Sequence, residues 1–159
     1  MRKMITVKIN GEERQYPQGA TYEDVANDYQ QEYENLIALA ARDGKIRELF
    51  KKLTRDCEVT FFTLKDDVGN KTYVRSATML FLKAVFDVYG REAAQSCRVE
   101  FAIGNGSYIS PRGQIAATED NAAKIRDRMR ELVEAKTPFL KRSYSLDNAM
   151  ELFHKEGMK

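Results

Sequence analysis

The chain has 159 residues, 43% hydrophobic and 31% charged, with 26 Lys+Arg against 24 Asp+Glu and a formal charge of +2. That apolar share excludes a polar tail or fibre, and at about 100 to 200 residues per domain it makes one domain or two small ones. The charge balance is too even to recruit nucleic acid by itself, so any such role has to rest on local patches.

In chain order, Ile5, Val7 and Ile9 alternate with polar residues, as in a strand with one apolar face. Asn10-Gly11 supplies the residues of a tight hairpin, and Glu12 to Tyr16 returns as the partner strand before Pro17 and Gly19 end it. Thr21 followed by Asp24 reads as a helix cap, with Val25, Ala26 and Tyr29 at helical spacing behind it. The apolar run Leu36 to Ala41 closes on Asp43-Gly44, Ile46 to Phe50 follows, and Val59 to Thr63 is a second β-rich run. Four or five strands with one helix packed on them make a small α+β unit.

Asp66 to Asn70 reads as a turn-rich linker, placing the boundary of two units, 1–64 and 65–159, near residue 65. Beyond it, Ser76 to Tyr89 is a strongly apolar helix: Ala77, Leu80, Phe81, Ala84, Val85 and Val88 form a stripe flanked by Met79, Leu82 and Phe86. Val99, Phe101 and Ile103 alternate as a strand, Gly104-Asn105-Gly106 turns it, and Ser107–Ser110 and Gln114–Ala117 are expected to complete a meander. Thr118 opens another helix with Ala122, Ile125, Met129, Leu132 and Val133 inward. Phe139 to Ser145 is expected as a strand, and Ser145 caps a last helix ending near Gly157.

Several chemistries drop out on counting. Cys57 and Cys97 have no CxxC spacing, which reads as reduced, buried thiols and gives no support to a zinc site. His154 is the one histidine, in a charged helix, so neither a histidine triad nor an HExxH metal pair can be assembled. Gly69-Asn70-Lys71-Thr72 lacks the upstream glycine of a phosphate loop. No apolar run approaches the roughly 20 residues that span a bilayer, and the expected setting is cytoplasmic, with no membrane partner.

Two stretches resemble known families. Ile5-Thr6-Val7-Lys8-Ile9-Asn10-Gly11, Tyr16-Pro17-Gln18-Gly19-Ala20-Thr21, Asp24-Val25-Ala26, Asp43-Gly44-Lys45 and Val59-Thr60-Phe61 resemble the TGS domain, a β-grasp, ubiquitin-like module shared by threonyl-tRNA synthetases, a class of GTPases and stringent-response enzymes. The resemblance implies a ligand or RNA contact role. The second unit resembles the editing region of threonyl-tRNA synthetase through Lys83-Ala84-Val85, Ile103 to Tyr108, Met129 to Val133, Thr137-Pro138 and Ala149 to Phe153. In that family a helix opens with His-Ser-Ala-x-His, whose histidines serve deacylation; here the stretch is Arg75-Ser76-Ala77-Thr78-Met79. A guanidinium that stays protonated and a thioether cannot act as general base or hard-metal ligand, so the resemblance implies a retained fold without its chemistry.

The pairing of both blocks further resembles the region preceding a P-loop kinase domain in bacterial proteins of the uridine kinase/phosphoribulokinase type. This implies a noncatalytic regulatory or ligand-binding region, a downstream kinase domain in the same chain, and ATP and Mg for that parent with no cofactor in this fragment. The alternative is an RNA-linked role, in tRNA binding or residual deacylation. Candidate ligand residues are Arg75, Met79, Asn105, Gly106 and Tyr108; plainer readings are an ion pair for Arg75, core filling for Met79 and a simple glycine turn at Gly104–Gly106. Lys124, Arg126, Arg128 and Arg130, then Lys141 and Arg142, form the densest basic run, with Lys124, Arg128, Lys141 and Arg142 as candidate contacts. Interleaved acids Asp127, Glu131 and Glu134 favour a solvated helix face there.

Overall fold

A computed structural model describes residues 3–104, 106–113 and 115–157. Strands β1 (Met4–Ile9) and β2 (Glu12–Pro17) form the expected hairpin, Ile9 opposite Glu12 and Met4 opposite Pro17. Asn10 at φ +51° and Gly11 at φ +88° supply the two left-handed residues that match the twist of the flanking strands. Helix α1 (Tyr22–Tyr29) starts on a reciprocal cap: Asp24 N–H donates to the Thr21 hydroxyl oxygen at 3.1 Å, and Thr21 N–H donates to the Asp24 carboxylate at 2.8 Å. A 3-10 turn at Gln30–Glu32 extends it, and then come β3 (Ile37–Arg42), the short β4 (Lys45–Arg47) and β5 (Cys57–Thr63).

The sheet order is β2-β1-β5-β3-β4, with β1 parallel to β5 and the other neighbours antiparallel. Parallel neighbours need a crossover, and the segment containing α1 supplies it. The inward faces of β1 and β5 meet α1: Ile5, Val7, Ile9, Val59, Tyr22, Val25 and Tyr29 are all almost completely buried. Each such side chain contributes about 1.5–3 kcal/mol by leaving water, so this layer carries most of the local stability. Beyond β4 the expected strand does not continue, and Phe50 is half exposed.

Residues 67–70 are not a linker but the first turn of α2 (Asp67–Tyr89), a 23-residue helix. Asp66 turns its carboxylate back to the Thr63 N–H (2.7 Å) and hydroxyl (2.9 Å), closing the end of β5. Gly69 is buried, and a Cβ there would lie 2.0 Å from the Thr63 carbonyl oxygen, so glycine serves close approach of helix to strand here, not chain freedom. A short helix α3 (Arg91–Ser96), unforeseen because its six residues show no period, follows at Gly90.

Strands β6 (Arg98–Ile103) and β7 (Gly106–Ser110) form a two-stranded hairpin, not a meander: Ala116 and Ala117 join no ladder, and the expected strand's Gln114 lies outside the described residues. Helices α4 (Glu119–Glu134) and α5 (Leu146–Lys155) start on Thr118 and Ser145, whose hydroxyls accept from Asn121 and Asn148 N–H. A second, smaller core joins Ala84, Val85, Ala93, Ile115, Ile125 and Leu132, with Leu80, Phe81 and Met129 half buried beside it. Ala122 and Val133 face solvent, contrary to the expected inward set. Phe139 to Ser145 is irregular and exposed, because β-rich composition yields a strand only where a neighbouring strand offers a ladder. Both cysteines are free and half buried, and His154 is exposed. Among the described residues no helix is long and apolar enough to cross a membrane.

Candidate functional site

A cleft of about 860 Å³ lies between α2 and the β6–β7 hairpin. Lys71, Val74, Thr78 and Phe81, spaced at three and four residues, present one face of α2 to it, and Ala102, Gly104, Gly106 and Ser107 form the facing wall. Helical steps of about 100° put Arg75 at the edge of that face and carry Met79, one turn on, away from it. Arg75 lines the cleft, is exposed, and has no ion-pair partner among the described residues, so the plain ion-pair reading finds no acid. Met79 is outside the lining with 56% of its surface exposed, which corrects its reading as core filler.

Tyr108 is also outside the lining; its ring stacks on Phe101 at 5.2 Å between centroids. Asn105 lies outside the described residues. Of the sequence-proposed cleft residues, the structure thus brings Arg75 and Gly106 together.

The polar groups of α2 are mostly committed. Thr72, Ser76 and Thr78 hydroxyls donate to the carbonyls of Val68, Thr72 and Val74 at 2.9–3.0 Å, and the Lys71 ammonium meets Asp67 at 2.6 Å. No carboxylate, imidazole or thiol stands among the described lining residues. The ionisable side chains on the described wall are Lys71, Tyr73 and Arg75, all hydrogen-bond donors, so it is suited to an anionic or polar ligand.

The basic run is largely spoken for. Lys124 pairs with Asp120 at 2.7 Å and Lys141 with Glu48. Arg128 bridges Asp87 at 2.9 Å and Glu131 at 2.7 Å, locking α4 to α2. Lys83 and then Arg128, both hydrogen-bonded to Asp87, hold its carboxyl below the usual range. Arg142 is exposed. Sequence reasoning missed a different cationic group, Arg42, Arg47, Lys51 and Lys52, which converges on one opening from β3, β4 and the loop after it. Residues 42–55 hold six Lys+Arg in fourteen positions, a density that could have pointed to it, but only the fold shows that these four share one opening.

No protein-family model matches the chain. It is homologous to the amino-terminal region of threonyl-tRNA synthetase. Identity to the threonine–tRNA ligase of Thermotoga neapolitana is 27% over 164 residues, covering 99% of this chain and 24% of the relative. The corresponding ligase of Maricaulis maris is 26% identical over 155 residues, covering 97% and 24%, and that of Rhizobium etli 27% over 148 residues, covering 93% and 22%. The chain therefore spans about a quarter of the length of the curated relatives it matches.

Proposed function

We propose that this region is a noncatalytic RNA-contacting unit of a threonyl-tRNA synthetase-like protein, with a TGS-type β-grasp domain over residues 1–64 and a degenerate editing-like domain over residues 65–159. The cleft beside α2 carries the reading: the Arg75 guanidinium on its edge, without an ion-pair partner among the described residues, suits a phosphate or an aminoacyl carbonyl, and the described wall offers no carboxylate, imidazole or thiol for ester cleavage. Homology to the synthetase's amino-terminal region favours this over the kinase-type parent, which finds no support among the relatives named above. A cytoplasmic setting, with tRNA as partner and no cofactor in this region, belongs to the same proposal.

Deacylation and binding test it together. Incubated with threonyl- and seryl-tRNA, the protein leaves ester hydrolysis at the buffer rate while retarding tRNA in a gel-shift titration. Hydrolysis above buffer overturns the noncatalytic part, and absence of tRNA binding overturns the RNA part. Arg75→Ala weakens binding by about threefold or more if the guanidinium meets a phosphate.

A further inference from the structure

On the first unit, away from α2, an opening of about 680 Å³ is lined by the four cations Arg42, Arg47, Lys51 and Lys52. None of them has an ion-pair partner among the described residues, whereas cations elsewhere do, as in Lys71–Asp67 and Arg55–Asp43. Arg42 donates to the Thr54 hydroxyl oxygen and Arg47 to the Ile46 carbonyl, each at 3.2 Å, which leaves most guanidinium N–H groups of both without a protein acceptor. No carboxylate stands among the described lining residues.

The loop that carries the lysines is fixed in place. Tyr22 and Glu23 N–H, at the start of α1, donate to the Lys51 and Leu49 carbonyls at 3.0 and 2.8 Å, and Leu53 N–H donates to Ala20 at 2.7 Å. Tyr22 forms part of the wall and is fully buried beside the Arg42 guanidinium. Burial pushes its pKa up, with the Arg42 guanidinium pulling the other way. An anion in the opening would add the acceptor that the remaining guanidinium and ammonium N–H groups lack. Phe50 is half exposed beside them, with the Lys51 ammonium 5.2 Å from its ring centre.

We infer that this opening binds a phosphate together with its adjoining base, the phosphate between Arg42, Arg47 and the lysines and the base against Phe50, as presented by a nucleotide or by single-stranded RNA. Two planar guanidiniums suit phosphate oxygens, and an exposed ring suits a base. The choice of RNA as one source rests on the function proposed above; the site itself does not.

The full chain is titrated with AMP and followed by amide NMR shifts, with a labelled single-stranded RNA 12-mer in a parallel anisotropy titration and inorganic phosphate as the base-free probe. AMP is expected to shift the amides of residues 42, 47 and 50–54. Arg47→Ala/Lys51→Ala weakens AMP and RNA about tenfold or more at low salt. Phe50→Ala, at an exposed position, weakens AMP and RNA about fivefold or more and leaves phosphate unchanged. Absence of AMP shifts in this segment, or a charge-deleted variant that keeps AMP affinity within about twofold, overturns the site. AMP binding here without RNA binding keeps the site and overturns the RNA reading.

Discussion

The sheet unit and the helix–hairpin unit are built from similar material and hold it differently. In the first, β1, β5 and α1 close on a layer in which Tyr22, Tyr29, Ile5 and Ile9 are almost completely buried. In the second, the buried set is smaller and partly alanine, while Val99, Phe101 and Ile103 on β6 keep 41%, 58% and 60% of their surface exposed. A two-stranded hairpin has little independent stability, so β6–β7 depends on what lies against it. Stability concentrates in the sheet, and the adaptable surface concentrates around the hairpin and α2.

Truncating one residue from each unit breaks or sharpens that contrast. Ile9→Ala, at a completely buried position, is expected to cost about 2–5 kcal/mol, read as a fall in the urea midpoint without a change in slope. Gly69→Ala forces a methyl group against the Thr63 carbonyl and is expected to cost about 2–3 kcal/mol, with loss of near-ultraviolet dichroism. A neutral result at Gly69 would mean that helix and strand are free to separate. Thr21→Ala removes the cap of α1, for about 0.5–2 kcal/mol.

That last variant also alters the acid limb. Hydrogen bonds from the Thr21 backbone and then its hydroxyl hold the Asp24 carboxyl below its ordinary value of 3.8. The corresponding stability is present above that value and is lost as pH falls through the depressed folded pKa, where the unfolded chain takes up the proton first. Without the hydroxyl the loss on acidification becomes shallower, measurable as urea midpoints between about pH 5 and 2. The smallest effect belongs to Ile103→Ala, expected within about 0.5 kcal/mol because the side chain is mostly in solvent.

What was legible in the sequence was local. Asn10-Gly11 names its turn, and Thr21, Thr118 and Ser145 name the starts of their helices, because each signal acts within four residues. Gly69 misled, since a glycine between Asp67 and Asn70 looks like a turn until the carbonyl of Thr63 is placed beside it. Phe139 to Ser145 misled for the opposite reason: its composition suits a strand, and no strand pairs with it. At the site, Arg75 was visible through its motif, but the face of α2 that meets the hairpin is set by packing, which left Met79 on the far side. The four cations of the sheet unit come together only after β3 and β4 pair, as Arg42 opposite Lys45 and Ala40 opposite Arg47.

The close contact at Gly69 makes α2 a lever with its fulcrum on the sheet. From Gly69 to Tyr89, twenty residues at about 1.5 Å each give an arm of about 30 Å, so a tilt of about 10° at the root would carry the Tyr89 end roughly 5 Å sideways. Arg75, six residues from Gly69, sits only about 9 Å from the pivot and would travel about 1.6 Å in the same swing. The guanidinium at the cleft edge is thereby insulated from bending farther along the arm, whose outer half can adjust to α3 and α4 without displacing it.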